Sequence, residues 1–111
     1  MTIAELKTLF VAIGTEIETP VYHYTGAKND SYIVWAEYGG NGLRGDQAFA
    51  EYALKVQLDY YHKSEADNAK ADTILARLLE HDEIAVTVPE VDYESDTGYI
   101  HHIIQLEAIM S

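Results

Sequence analysis

The sequence predicts an α+β fold: a single domain over residues 1–111, with a mostly antiparallel sheet of four to five strands and two amphipathic helices. Three observations predict it. From Phe49 to Tyr61 the chain alternates with a period of two: Ala50, Tyr52, Leu54, Val56, Leu58 and Tyr60 make an apolar row, and Glu51, Lys55, Gln57 and Asp59 fall on the other. Successive strand side chains point to opposite faces, so this is one buried face and one wet face. The alternation returns from Tyr99 to Met110, where Ile100, His102, Ile104, Leu106, Ala108 and Met110 form the apolar row. Two other stretches carry the helical period instead, and no repeat, low-complexity tract or linker divides the chain.

In order, Thr2-Ile3-Ala4-Glu5 reads as a capping box. Ile3, Leu6, Leu9, Phe10 and Ile13 then share one helical face, and Gly14 is placed to stop the helix. Val21–Tyr24 and Tyr32–Tyr38 read as two strands joined into a hairpin by the turn residues Gly26, Asn29 and Asp30. Gly39 to Asp46 is glycine-rich and predicts a loop. It is not a phosphate loop, because Gly-Lys-Ser/Thr and a following helix are missing. The long strand Phe49–Tyr61 follows. Ser64, with Asp67 three residues on, reads as a second capping box, and Ala71, Ile74, Leu75, Leu78 and Leu79 give the apolar stripe of the second helix. Ile84–Val88 is a short strand ended by Pro89, and Pro89 to Gly98 is acidic and turn-rich. Tyr99–Met110 closes an α–β–β–β–α–β–β order.

Composition limits the function. Seven basic residues stand against nineteen acidic ones, a formal net charge of −12. Such a surface repels phosphate backbones and anionic membranes, and it favours solubility, a channel that lets nucleic acid slide past, or a mimic of nucleic acid. No cysteine is present, which excludes disulfides, thiolate metal sites and a thiol nucleophile. No signal-peptide pattern follows Met1, and no apolar run approaches the roughly 18–20 residues of a membrane span.

Chemistry-bearing residues are scattered. His101 and His102 are adjacent and point to opposite strand faces, so they cannot share a metal. Asp59, His62 and His101 could meet across the sheet, but no spacing requires it. Ser64 is claimed as a cap, and carboxylates are too plentiful for any pair to stand out. No catalytic residue, metal site or cofactor is therefore expected. The nine tyrosines are more informative, because tyrosine combines a large apolar body with a polar tip that suits interfaces. Tyr61 and Tyr99 sit on the rows left outside the apolar face, and Ile103 and Ile109 share the row of Tyr99. These four are the candidate partner surface.

Several patches together resemble a known family: "PVYHYTGAKNDSYIVWAEYG", "VQLDYYHKSEADN" and "YESDTGYIHHIIQLEAI", after a short amphipathic helix. In order and length, nearly the whole chain resembles the small tail-terminator or tail-completion (head–tail joining) proteins of long-tailed bacteriophages and Gram-positive prophages. The resemblance implies a sheet flanked by helices, no enzymatic activity and no cofactor. It implies a virion protein, made in the host cytoplasm, that forms a ring, a hexamer in the family. The ring caps the tail-tube protein and docks to the head connector or neck protein. DNA would cross it without being bound, and Glu90, Asp92, Glu94 and Asp96 are the candidate acidic lumen or loop residues. The alternatives are another neck or minor capsid protein, an acidic DNA mimic that inhibits a host nucleic-acid-binding protein, and a small-molecule enzyme or binding domain on the same scaffold.

Overall fold

The structure, a computed structural model, describes residues 1–26, 29–42 and 52–111. The fold is α+β, with two α-helices and a six-stranded mixed sheet among the described residues. The elements are α1 (Ile3–Glu16), β1 (Val21–His23), β2 (Ser31–Gly42), β3 (Tyr52–His62), a single 3₁₀ turn (Glu65–Asp67), α2 (Asn68–Leu78), β4 (Ile84–Val86), β5 (Glu90–Glu94) and β6 (Tyr99–Met110). The sheet order is β1-β2-β3-β6-β4, with β5 also paired to β6.

The centre of the sheet is β3 against β6, antiparallel from Tyr52↔Met110 to His62↔Ile100. This register sets Val56, Leu58 and Tyr60 beside Ile104, Leu106 and Ala108 on one face, where α1 and α2 supply Leu6, Phe10, Ile13, Ala71, Ile74 and Leu78. Both apolar rows of the sequence are thus the core-facing rows. The residues Phe49 to Glu51, at the start of the long strand expected there, lie outside the described residues.

The capping box at α1 is complete: Glu5 N donates to Thr2 Oγ1 at 3.1 Å, and Thr2 N donates to Glu5 Oε1 at 2.9 Å. The second box is not. The Ser64 side chain accepts from Ala66 N, starting a 3₁₀ turn, and α2 begins at Asn68. Of the α2 stripe, Ala71, Ile74 and Leu78 are buried, while Leu79 is exposed.

Four expectations are corrected. Helix α1 does not stop at Gly14 but continues to Glu16. Gly14 is needed for close approach instead: a Cβ there would lie 2.3 Å from Val21 Cγ2 and 2.7 Å from the Thr19 carbonyl oxygen. Secondly, β1 and β2 are not a hairpin, because Val21–His23 pairs parallel with Ile33–Trp35. The return is far shorter than an ordinary parallel crossover of about a dozen residues. It works because β1 has only three residues to climb back over. Thirdly, Gly39 to Gly42 is strand rather than loop, paired with Lys55 to Tyr52 beyond a bulge at Tyr38. The rest of the expected loop lies outside the described residues. Fourthly, the acidic stretch after Pro89 contains β5, which forms a hairpin with β6 through residues 95–98. Gly98 closes that turn at φ 80°, a conformation that costs glycine little, and its N–H donates to Glu94 O at 2.8 Å.

The Gly14 contact yields a test. Gly14→Ala is expected to destabilise by about 1–3 kcal/mol, because β1 or the Thr19 carbonyl must move to admit the methyl group. Urea unfolding would measure it, and a midpoint unchanged from the parent would show that α1 and β1 do not pack this closely.

Candidate interaction surface: the uncovered face of the sheet

Strand alternation divides the sheet residues between two faces, and both helices pack on one of them. Among the described residues no helix packs on the other face, which carries Tyr32 and Val34 from β2, Lys55, Gln57, Asp59 and Tyr61 from β3, and the odd-numbered residues of β6 from Tyr99 to Ile109. All four candidate interface residues lie here. They are not one patch. Tyr61 and Tyr99 touch, with ring centroids 5.8 Å apart. Ile103 sits opposite Asp59, and Ile109 sits opposite Ala53. Ile109 is six residues beyond Ile103, roughly 20 Å along the strand.

The aromatic end of this face is built by register. Tyr32, Tyr61 and His101 are neighbours across β2, β3 and β6. Their rings stack in a column, Tyr32 on Tyr61 at 4.7 Å and Tyr61 on His101 at 4.1 Å. Tyr99 closes the column edge-on to Tyr32 at 5.8 Å, and Lys63 Nζ lies 4.8 Å from the centre of the Tyr99 ring. The expectation that Tyr99 lacks a role within the subunit is corrected: it is only 6% exposed, and its hydroxyl donates to the Asn29 carbonyl. Tyr61, Ile103 and Ile109 remain half-buried. Burial, and then the charge of Asp59, push the Tyr61 hydroxyl up to about 12, and burial first raises that of Tyr32 as well. Both phenols therefore stay neutral donors at physiological pH.

A polar row adjoins the column. His101 Nε2 contacts Asp59 Oδ1 at 2.8 Å, and its Nδ1 lies 3.5 Å from Glu94 Oε2. Gln57 donates to Asp59 and accepts from Gln105 at 3.1 Å. Of the three residues that could meet across the sheet, Asp59 and His101 do, while His62 is on the opposite face. Of the candidate acidic residues, Glu90 and Asp92 are exposed on β5, Glu94 is engaged by His101 and by the Thr97 hydroxyl at 2.9 Å, and Asp96 is in the turn. Among the described residues, no group of three or more histidines and carboxylates is arranged to hold a metal ion.

Two arrangements on the helix-covered side were missed from sequence. His62 and His102 face each other, Nε2 to Nε2 at 2.8 Å, with 0% and 8% of their surfaces exposed. His62 Nδ1 donates to the Ser64 carbonyl at 2.9 Å, so His62 Nε2 must accept and His102 Nε2 must donate. The cross-strand diagonal of residues 62 and 102 contains this signal once the β3–β6 register is known. At the other edge, His23 is stacked between Trp35 at 3.7 Å and Tyr24 at 3.8 Å. Glu37 holds both, accepting from the Tyr24 hydroxyl at 2.6 Å and pairing with His23. Tyr24 adopts φ 75°, a left-handed conformation costly for an aromatic residue. The stacking and the Glu37 bond offset that cost. Burial raises the Glu37 carboxyl, but the hydrogen bonds from Tyr24 and His23 outweigh it and hold the carboxyl below its ordinary value.

The buried histidine pair makes stability pH-dependent. Burial first, then the neighbouring His62 and His101, lower the His102 pKa from the ordinary 6.5, against a smaller opposing pull from Asp72. Below 6.5 the unfolded chain binds a proton that the folded chain resists, so stability falls as pH drops through that window. His102→Gln keeps a donor for His62 and does not titrate. Its stability is expected to fall less steeply with acidification below 6.5, as read by urea unfolding across pH. An identical slope in parent and variant would exclude the pair as the cause.

Compared with models of known protein families, the sequence matches none of them, and it matches no curated protein either.

Proposed function

We propose that the protein is a virion assembly protein of a long-tailed bacteriophage, which caps the tail tube and joins tail to head as a ring of like subunits. The observation that supports this most is the uncovered sheet face, where Tyr61 within a preformed aromatic column, and Ile103 and Ile109 along the same row, stay partly exposed. A preformed aromatic surface that no helix covers is suited to receive a partner. A closed ring needs two different surfaces per subunit that meet head to tail. The uncovered face and the helix-covered back are two such surfaces. The three patches that carry the family resemblance fall on β1–β2, on β3 with the turn after it, and on the β5–β6 hairpin.

In this reading the partners are further copies of the chain, the tail-tube protein and the head connector. The protein resides in the virion and, during assembly, in the host cytoplasm. It carries out no catalytic step and uses no cofactor. Asp96, in the turn at one margin of the sheet, would border the passage and repel DNA phosphates, with Glu90 and Asp92 adding to that field wherever the edge of β5 is left free.

Solution mass tests the ring. Native mass spectrometry across concentration is expected to show a species of roughly six protomers, each of 12.5 kDa, either alone or on addition of tail tubes. Ile103→Glu is expected to abolish that species and leave the circular dichroism of the subunit unchanged. A chain that stays monomeric both alone and with tail tubes would overturn the reading.

A further inference from the structure

We propose that the outer edge of β5 (Glu90–Glu94) docks an extended segment of a partner protein in which basic and apolar residues alternate, added to the sheet as a further strand. Among the described residues β5 pairs only with β6, and none of them adds a strand on its outer side. The direction of its backbone groups follows from the ladder. Thr87 N donates to Gln105 O and Ile109 N to Glu83 O, both at 2.9 Å. Odd-numbered residues of β6 therefore bond toward this edge. In β5 the partners of Ile103, His101 and Tyr99 are Glu90, Asp92 and Glu94, which are thus bonded inward. The N–H and C=O groups of Val91 and Tyr93 point outward, as a template for strand addition.

The side chains specify what the added strand must carry. Glu90 and Asp92 are exposed on the uncovered face, and a strand beside them places its residues of the same phase against two carboxylates. Val91 and Tyr93 point to the helix-covered side and are each 64% exposed. Val91 also forms the wall of a cleft with Pro89, Leu75, Ala71 and His102. Charge complementarity on one face and apolar contact on the other fit a segment with basic and apolar residues in alternation. A second copy of this chain joined edge to edge would set carboxylate against carboxylate, so the same charges that admit a basic strand reject self-pairing. Charge alone would blunt an edge. It does not account for two large apolar side chains left exposed on the other face of the same five residues.

The inference does not depend on the ring, and its test reads a different surface. The full chain is titrated with a capped peptide of roughly seven residues alternating lysine and valine, followed by amide NMR. The expected result is shifts at the Val91 and Tyr93 amides, with binding at least about tenfold weaker for a peptide of the same composition in two blocks. Val91→Pro removes an outward N–H without breaking the β6 ladder and is expected to abolish the shifts. The double variant Glu90→Lys, Asp92→Lys is expected to prefer a glutamate–valine peptide. Equal binding of the block peptide, binding that survives Val91→Pro, an unchanged preference in the double variant, or no shift at β5 would overturn the proposal.

Discussion

The pairing of β3 with β6 decides which residues this molecule buries. The register from Tyr52↔Met110 to His62↔Ile100 joins segments a third to a half of the chain apart, so no local interaction sets it. What sets it is agreement between two apolar rows. Val56, Leu58 and Tyr60 find Leu106, Ile104 and His102 only in this alignment. A slip of one residue would turn Asp59, Gln57 and Lys55 toward the helices. Everything outside the pair follows from it. Helices α1 and α2 need the row it buries, β2 takes its phase from β3, and β4 and β5 take theirs from β6.

The same register explains why the uncovered face is ordered without a covering layer. Its aromatic column, the Asp59–His101–Glu94 contacts and the Gln57–Gln105 bond are all cross-strand neighbours held by the backbone. A face assembled this way keeps its shape before any partner arrives, which lowers the ordering cost of association. Tyr99 contributes differently from Tyr61. It is the wall of the column, tied to Asn29, whereas Tyr61 presents a partly open ring.

Periodicity made the long elements legible. The expected bounds of β6 match the structure, β3 was found with its faces correctly assigned, and α1 was found with its cap. What failed was punctuation. Gly14 reads as a helix stop in sequence because glycine ends helices often, while the true reason is a neighbour, Val21, that only the tertiary fold brings close. Gly39 to Gly42 reads as loop because glycine is disfavoured in strands, yet pairing with β3 carries it. Glu90 to Glu94 was hidden because its charges mask the alternation with Val91 and Tyr93. β1 is legible as a strand, but its parallel pairing is not, since a short strand states no direction. The candidate surface was legible as a row but not as patches. Alternation tells which residues share a face, and only register tells which of them touch.

The distribution of charge separates two surfaces that the composition merges. On the uncovered face the carboxylates have close neighbours: Asp59 and Glu94 both contact His101, and Glu107 is opposite Lys55. At the β5 margin Glu90 and Asp92 are exposed. Bringing many copies of a chain of net charge −12 into one ring concentrates like charge, and the cost is greatest where carboxylates are exposed. A basic strand added to β5 would widen the uncovered face and neutralise its acidic margin in the same step. On the two proposals together, the partner that docks at the edge would lower the repulsion that keeps copies of this chain apart, so assembly would be favoured where that partner is present and opposed elsewhere.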